Sequence, residues 1–265
     1  MESEHPCRLI PDILDCIIDF LHDDQQALRL SCLVSKLWIF PTRRHLFKEI
    51  KFSYPAHLDA WKKIFPNPAE SPAHHTRSLL FGYAGAITAD DTKEGGVIRS
   101  FSNVVRLELG FEPLPRARPN TVFAPFYDLW PDLKSLRLTF AYAQRAHIFP
   151  FFHSLPFLED LYISGRFIDD IDEGGGAIQS STSPVFTGTL TLNSELEDPV
   201  CWFSSLPGGL HFQKIVLVIN KQEELERVAT LVDMCSGTLE CISINLDFIC
   251  KSHSFCSCDE DGFGI

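Results

Sequence analysis

Seven short apolar stretches of the form L-x-L, spaced almost evenly along the chain, constrain the fold more than any other feature. They are SLLFG (around Leu79), VVRLELG (Leu107), LKSLRLTF (Leu136), LEDLYISG (Leu161), TGTLTLN (Leu190), FQKIVLVIN (Ile215) and LECISINL (Ile242). Their positions differ successively by 28, 29, 25, 29, 25 and 27 residues. Within each stretch the alternation has the period of a strand, as in Leu136 inward, Arg137 outward, Leu138 inward.

Between these strands lie NTVFAPFYDLW, QRAHIFPFFHSL, VCWFSSL and QEELERVATLVDMC, whose apolar residues recur at the three- and four-residue steps of a helix. The last is the clearest, with Leu225, Val228, Leu231 and Val232 on one side and Glu223, Glu224, Glu226 and Arg227 on the other. An ordinary α/β protein could space its strands evenly by coincidence, but one strand and one helix per 25–29 residues is the period of the leucine-rich repeat. The pattern therefore predicts an α/β solenoid over 77–250, with about seven strands in one parallel sheet lining a concave face. Arg106, Glu108, Arg137, Glu159, Asp160 and Lys214 would point from that face or its rim. The acidic and then Gly- and Ser-rich segment 169–184 reads as a mobile insertion.

Ahead of the repeats the period is different. Residues 9–47 read as three short helices, beginning with IPDILDCIIDFL, in which Pro11 suits a first turn. In that first helix Ile13, Leu14, Cys16, Ile17, Ile18, Phe20 and Leu21 spread over an arc of about 200°, far more than a helical hairpin covers. HDDQQ makes a turn with Asp24 as N-cap, and ALRLSCLV follows with Leu28, Cys32 and Ser35 at helical spacing. Pro41 and Thr42 are expected to open the last helix, TRRHLF, after which KEIKF reads as a strand. The resulting division is a helical module at 5–50, a connector at 51–76, the repeats at 77–250 and a Cys-containing tail at 251–265.

The helical stretch resembles an F-box of the fungal type, the small module that docks on the Skp adaptor of cullin-based ubiquitin ligases. IIDFLHDD, CLVSKLW and RRHLF carry the likeness, in the family's order, over about 40 of 265 residues. The family's usual Leu-Pro-Glu opening is here Ile10-Pro11-Asp12, and its Val-Cys-Lys-x-Trp is Val34-Ser35-Lys36-Leu37-Trp38. The resemblance implies a substrate-recognition subunit: the F-box holds the adaptor, and through it the cullin, while the repeats bind an unknown target protein. It places Ile10, Pro11, Ile13, Ile17, Leu28, Val34 and Trp38 at or under the adaptor contact, with Ile17, Ile18 and Leu21 packed inward on Leu28, Cys32 and Leu46. Trp38 fits the module's own core equally well, Pro11 can be a plain helix starter, and Ile13 and Ile17 can be core residues. The other reading is a repeat scaffold whose F-box is vestigial and has no ligase role.

Charge and motifs narrow the rest. A net charge of −12 repels phosphate backbones and anionic lipid surfaces, so neither nucleic acid nor membrane is an expected partner. No stretch has the length and apolarity of a membrane span, and acidic Glu2, Glu4, Asp12 and Asp15 do not suit a signal peptide. The nine cysteines, among them Cys16, Cys32, Cys201, Cys235 and Cys241 inside apolar patterns, read as reduced, buried thiols of a cytoplasmic or nuclear protein. No nucleophile elbow, phosphate loop, dinucleotide fingerprint or zinc-protease motif is present, so no enzyme activity or cofactor is expected. His74-His75 reads as a surface loop. Cys250, His253, Cys256 and Cys258 are soft ligands, but their spacing fits no standard zinc finger, so free thiols are the expectation. Arg106, Arg137 and Arg166 fall in consecutive repeats and would suit a phosphate-reading face if they are neighbours.

Overall fold

The strand starts are what lock the chain together. A computed structural model describes residues 11–111, 126, 128–144, 148, 151–152, 154–168, 186–194, 197–204, 210–219 and 221–246. In it, eight strands form one parallel sheet in strict chain order: β1 (Glu49–Phe52), β2 (Ser78–Phe81), β3 (Arg106–Phe111), β4 (Ser135–Gln144), β5 (Asp160–Ile168), β6 (Thr189–Ser194), β7 (Lys214–Ile219) and β8 (Cys241–Leu246). The carbonyls of Lys48, Arg77, Val105, Lys134, Gly188 and Gln213 each accept two consecutive amides from the start of the next strand, at 2.8–3.3 Å. At the remaining step the Glu159 carbonyl accepts only the Gly188 amide, because the Thr189 amide turns to the Asp160 carboxylate at 2.6 Å.

This lateral ladder aligns Ile50, Leu79, Leu107, Leu136, Leu161, Leu190, Ile215 and Ile242 in one row across the sheet. Seven of these are the residues that the L-x-L spacing singles out. Ile50 is the addition: β1 stands 29 residues before Leu79 and is the first member of the same sheet. The sheet thus begins inside the stretch assigned to the helical module, and the connector at 51–76 is part of the sheet domain. Its helix α4 (Pro55–Ile64, numbered after the three N-terminal helices) buries Leu58 and Trp61 against Phe52 and Phe101.

Alternation along the strands puts Leu79, Leu107, Leu136, Leu161, Leu190 and Ile215 in the core and leaves the intervening side chains on the other face, partly or fully exposed. Phenylalanines thicken the core, with Phe101, Phe126, Phe151, Phe152, Phe186, Phe203 and Phe212 all fully buried. Trp130 joins them at no polar cost, since its indole N–H donates to the Phe101 carbonyl at 2.8 Å. Further on, the short helices α6 (Glu197–Ser204) and α7 (Leu225–Met234) add Val200, Phe203, Val228 and Leu231 to the same layer. In β8 the Ile242 and Ile244 side chains stay about two-fifths exposed.

Of the cysteines expected to be buried, only Cys235 is; Cys16, Cys201 and Cys241 are exposed and Cys32 is half-buried. Burial pushes the Cys235 thiol up to about 11, so it is inert at neutral pH. Ile10, segment 169–184, the tail at 251–265 with Cys250 before it, and most of the helical stretches predicted near 120–130 and 144–155 lie outside the described residues.

One buried carboxylate fastens the early part of the domain. Asp91, in the one-turn helix α5 (Ala89–Thr92), takes Lys62 of α4 at 2.5 Å and the Thr88 amide and hydroxyl at 3.0 and 2.8 Å. Burial alone would raise the pKa of this carboxyl, but the bonds from Lys62 and Thr88 outweigh it and hold it below its ordinary value of 3.8. Because the folded value is depressed, the stabilisation is complete above 3.8 and is lost as pH falls through the folded value.

Two outcomes follow for stability. Leu136→Ala, which empties a fully buried site in the central strand row, should cost about 2–5 kcal/mol in urea unfolding. Asp91→Asn should cost about 1–2 kcal/mol at neutral pH, Lys62 being partly solvated, and the difference from the parent should shrink in acid unfolding series below pH 3.8.

Candidate functional site

The three N-terminal helices carry far more apolar surface than they bury. Helices α1 (Pro11–Phe20), α2 (Gln25–Val34) and α3 (Lys36–Leu46) meet around a core of only Leu14, Ile18 and Leu28, with Leu21, Trp38 and Leu46 packed at its edge. Leu14 and Ile18 are four residues apart and so share one face of α1, which turns inward. Ile13, Cys16, Ile17 and Phe20 are left on the outside, and with Asp12 and Leu21 they line a shallow apolar hollow. The expectation that Ile17 packs inward is therefore corrected: helical phase gives that place to Leu14, and Ile17 is more than one-third exposed.

Local chemistry fixes the other two helices. The Asp24 carboxylate caps α2 by accepting the Ala27 amide at 2.9 Å, and the Ser35 hydroxyl caps α3 by accepting the Leu37 amide at 3.3 Å. Pro41 does not open the last helix as expected. It lies within α3, buried beside Thr42, because Ser35 starts that helix six residues earlier. The Thr42 hydroxyl donates back to the Trp38 carbonyl at 2.5 Å. The α1–α3 contact is pinned by Asp19, whose Oδ1 accepts from Arg44 at 2.7 Å and lies 2.8 Å from His45 Nε2. The His45 bond is the main cause holding the Asp19 carboxyl below its ordinary value; loss of water opposes it and Arg44 reinforces it.

What remains outward on α2 and α3 is Leu30, Leu33, Val34, Leu37 and Phe40, with Leu33 82% exposed. Phe20 on α1 is 88% exposed. Scattered exposed apolar residues are ordinary, but eight large ones between Pro11 and Leu46 are an unusual concentration; Ile13, Ile17 and Phe20 share one hollow, and Phe40 stands against His75. Of the residues the sequence pointed to, Ile13, Ile17 and Val34 are on this surface. Leu28 is buried beneath it, 1% exposed, and Trp38 is half-buried against the module core. Pro11 begins α1, and Ile10 lies outside the described residues. Phe20 belongs to the wide apolar arc of the first helix, and Leu30, Leu33, Leu37 and Phe40 add to it residues for which the sequence carries one signal: a helical wheel centred on Leu28 places Leu30 and Leu33 outward.

The open face of the sheet is the second candidate. Row by row it presents Ser78, Arg106, Ser135 and Asp160, then Leu80, Glu108, Arg137, Tyr162 and Thr191. Arg137 lies over the Tyr162 ring, 3.9 Å from its centroid, and 3.6 Å from the Glu108 carboxylate. Arg106 and Arg137 line one hollow on this face, and Arg166 stands farther along it. Arg106 is one outward row from Arg137, about 7 Å along the strands, and Arg166 pairs with Tyr142 four residues beyond the Tyr162 row. Beside Arg106, an aromatic–guanidinium–carboxylate stack of Tyr162, Arg137 and Glu108 occupies the middle of this face.

Among the described residues no group of three or more His, Cys, Asp and Glu side chains comes together to hold a metal ion, and no helix is long and apolar enough to cross a membrane. Compared with known proteins, the chain matches no family model and no curated protein sequence.

Proposed function

We propose that this chain is the substrate-recognition subunit of a Skp–cullin–F-box ubiquitin ligase. In this reading α1–α3 are the F-box, and the eight-stranded sheet is the spine of a leucine-rich-repeat-like solenoid whose open face holds a target protein. The observation that carries the reading is the imbalance of the helical module: three residues form its core, while Ile13, Ile17, Phe20, Leu30, Leu33, Val34, Leu37 and Phe40 face outward. A surface of that kind is stabilised by a partner that removes it from water, at roughly 25 cal/mol for each Å² of apolar area buried. The sequence likeness of IIDFLHDD, CLVSKLW and RRHLF names the partner as the Skp adaptor. Ile13, Ile17 and Val34 make the contact, with Pro11 opening the helix that presents them and Leu28 and Trp38 supporting it from below.

Such a receptor carries out no reaction itself. It raises the local concentration of a bound target beside a ubiquitin-charged enzyme, so affinity and geometry replace catalytic groups. Target binding falls to the open face around Arg137, Tyr162 and Glu108, where a planar cation, an aromatic ring and a carboxylate suit a polar protein segment. The compartment this implies is the cytoplasm or nucleus.

Co-expression with the adaptor followed by size-exclusion chromatography tests the reading. The expected result is a one-to-one complex that Ile17→Asp abolishes and Arg137→Ala leaves intact. A chain that elutes alone and monodisperse beside the adaptor would instead favour the scaffold with a vestigial F-box.

A further inference from the structure

A cationic hollow sits where the helical module meets the first two strands, in a chain that is otherwise strongly acidic. Its lining combines Arg44 and His45 of α3, Lys48 just before β1, His74, His75 and Arg77 just before β2, together with Phe40, Asn103 and Asp19. Three permanent cations, Arg44, Lys48 and Arg77, thus face one carboxylate, Asp19. Over the whole chain the balance is the reverse, 35 acidic against 23 basic side chains.

The cations are brought together by the fold. The Lys48 carbonyl accepts the amides of Arg77 and Ser78 at 2.8 and 3.0 Å, so Lys48 and Arg77 occupy equivalent places at successive strand starts. The 3-10 turn Pro72–His75 is held by Asn103, whose amide donates to the His74 carbonyl at 2.6 Å, and by the Thr76 hydroxyl, which donates to the Phe47 carbonyl at 2.9 Å. Arg77 spends one guanidinium nitrogen on the Asn103 carbonyl at 3.3 Å, and Arg44 spends one on Asp19. Most of both forks is unspent, and Lys48 makes no side-chain bond among the described residues. The His74 and His75 rings lie 3.9 Å apart between centroids. Burial above all, and then the nearby His74, Arg43 and Arg44, depress the basicity of His75. Phe40, mostly exposed, stands edge-on to His75 and gives the hollow one apolar wall.

We propose that this hollow is an oxyanion site for a protein segment, taking a phosphorylated or carboxylate side chain between Arg44, Lys48 and Arg77 while Phe40 contacts the residue beside it. Forked guanidinium donors flanking an ammonium are the chemistry that holds phosphate and carboxylate oxygens. A protein segment fits better than a nucleic acid because the chain's overall charge of −12 opposes a long polyanion more than a single charged side chain. The site is separate from the open sheet face and does not depend on the ligase reading.

Fluorescence anisotropy of the full chain with three labelled Gly-Ser peptides tests the proposal: one with two phosphoserines, one with glutamates in their place, one with plain serines. Saturable binding of the phosphoserine peptide, competed by inorganic phosphate and weakened about tenfold or more by Lys48→Gln with Arg77→Gln, is the expected result. Equal binding of the glutamate peptide would also support it and assign the carboxylate as the source. Lys48→Arg should retain binding, which separates charge from damage to the fold. Absence of binding by both anionic peptides, binding unchanged in the double variant, or preferential capture of a single-stranded oligonucleotide would each overturn it.

Discussion

At six of the seven steps between neighbouring strands one carbonyl accepts two consecutive amides from the start of the next strand, and the rest of the architecture depends on that repeated bond. It fixes register without help from side chains, so the apolar residues of consecutive turns fall into one continuous row from Ile50 to Ile242. A one-residue slip would turn the buried members of that row, Leu79 to Ile215, from the core to the open face, which makes the ladder and the burial mutually enforcing. Steps of 25–29 residues all keep the same register, so the strand starts and not the lengths between them set the alignment. The one step where the pattern changes, Glu159 to Gly188, substitutes an Asp160 side chain for a carbonyl and leaves the register intact.

Because the ladder begins as early as Lys48, the helical module is tied directly to the sheet and not tethered by a free connector. Thr76 donates to Phe47, Arg77 to Lys48, and the Phe47 ring packs on Trp61 and Phe65, so the end of α3 and the first turn of the sheet domain are one packed unit. In the proposed assembly this rigidity fixes the direction in which a target on the open face is presented relative to the adaptor. A flexible joint would spread the same target over a large volume and lower its effective concentration. The cationic hollow lies at that joint, made from both parts.

Much of this was legible in the sequence wherever a period existed to be read. The seven L-x-L stretches gave the strand order and even the residues of the buried row, because parallel neighbours at a fixed interval leave few alternatives. Ile50 and Phe52 have the same spacing, but charged Glu49 and Lys51 and the helices just before them hid their membership. Within the helices, period alone did not decide which of several apolar faces turns inward. Ile17 and Leu14 are equally plausible from the pattern, and only packing against Leu28 chose Leu14 and Ile18. The local preference of Pro41 favours a helix start, and Ser35 capping and burial override it. The three arginines shared a repeat spacing but not a row, and row is set by offset within the strand. The hollow of Arg44, Lys48 and Arg77 had no sequence signal, since its parts lie on separate elements.

The account rests on α1–α3 being one face of an interface, and hydrogen–deuterium exchange read by mass spectrometry tests that most directly. Comparing the chain alone with the chain plus the Skp adaptor, the account predicts slowed exchange in peptides covering α1, α2 and the start of α3, with β3 to β7 unchanged. Unaltered exchange across all three helices, or protection confined to the sheet, would contradict it.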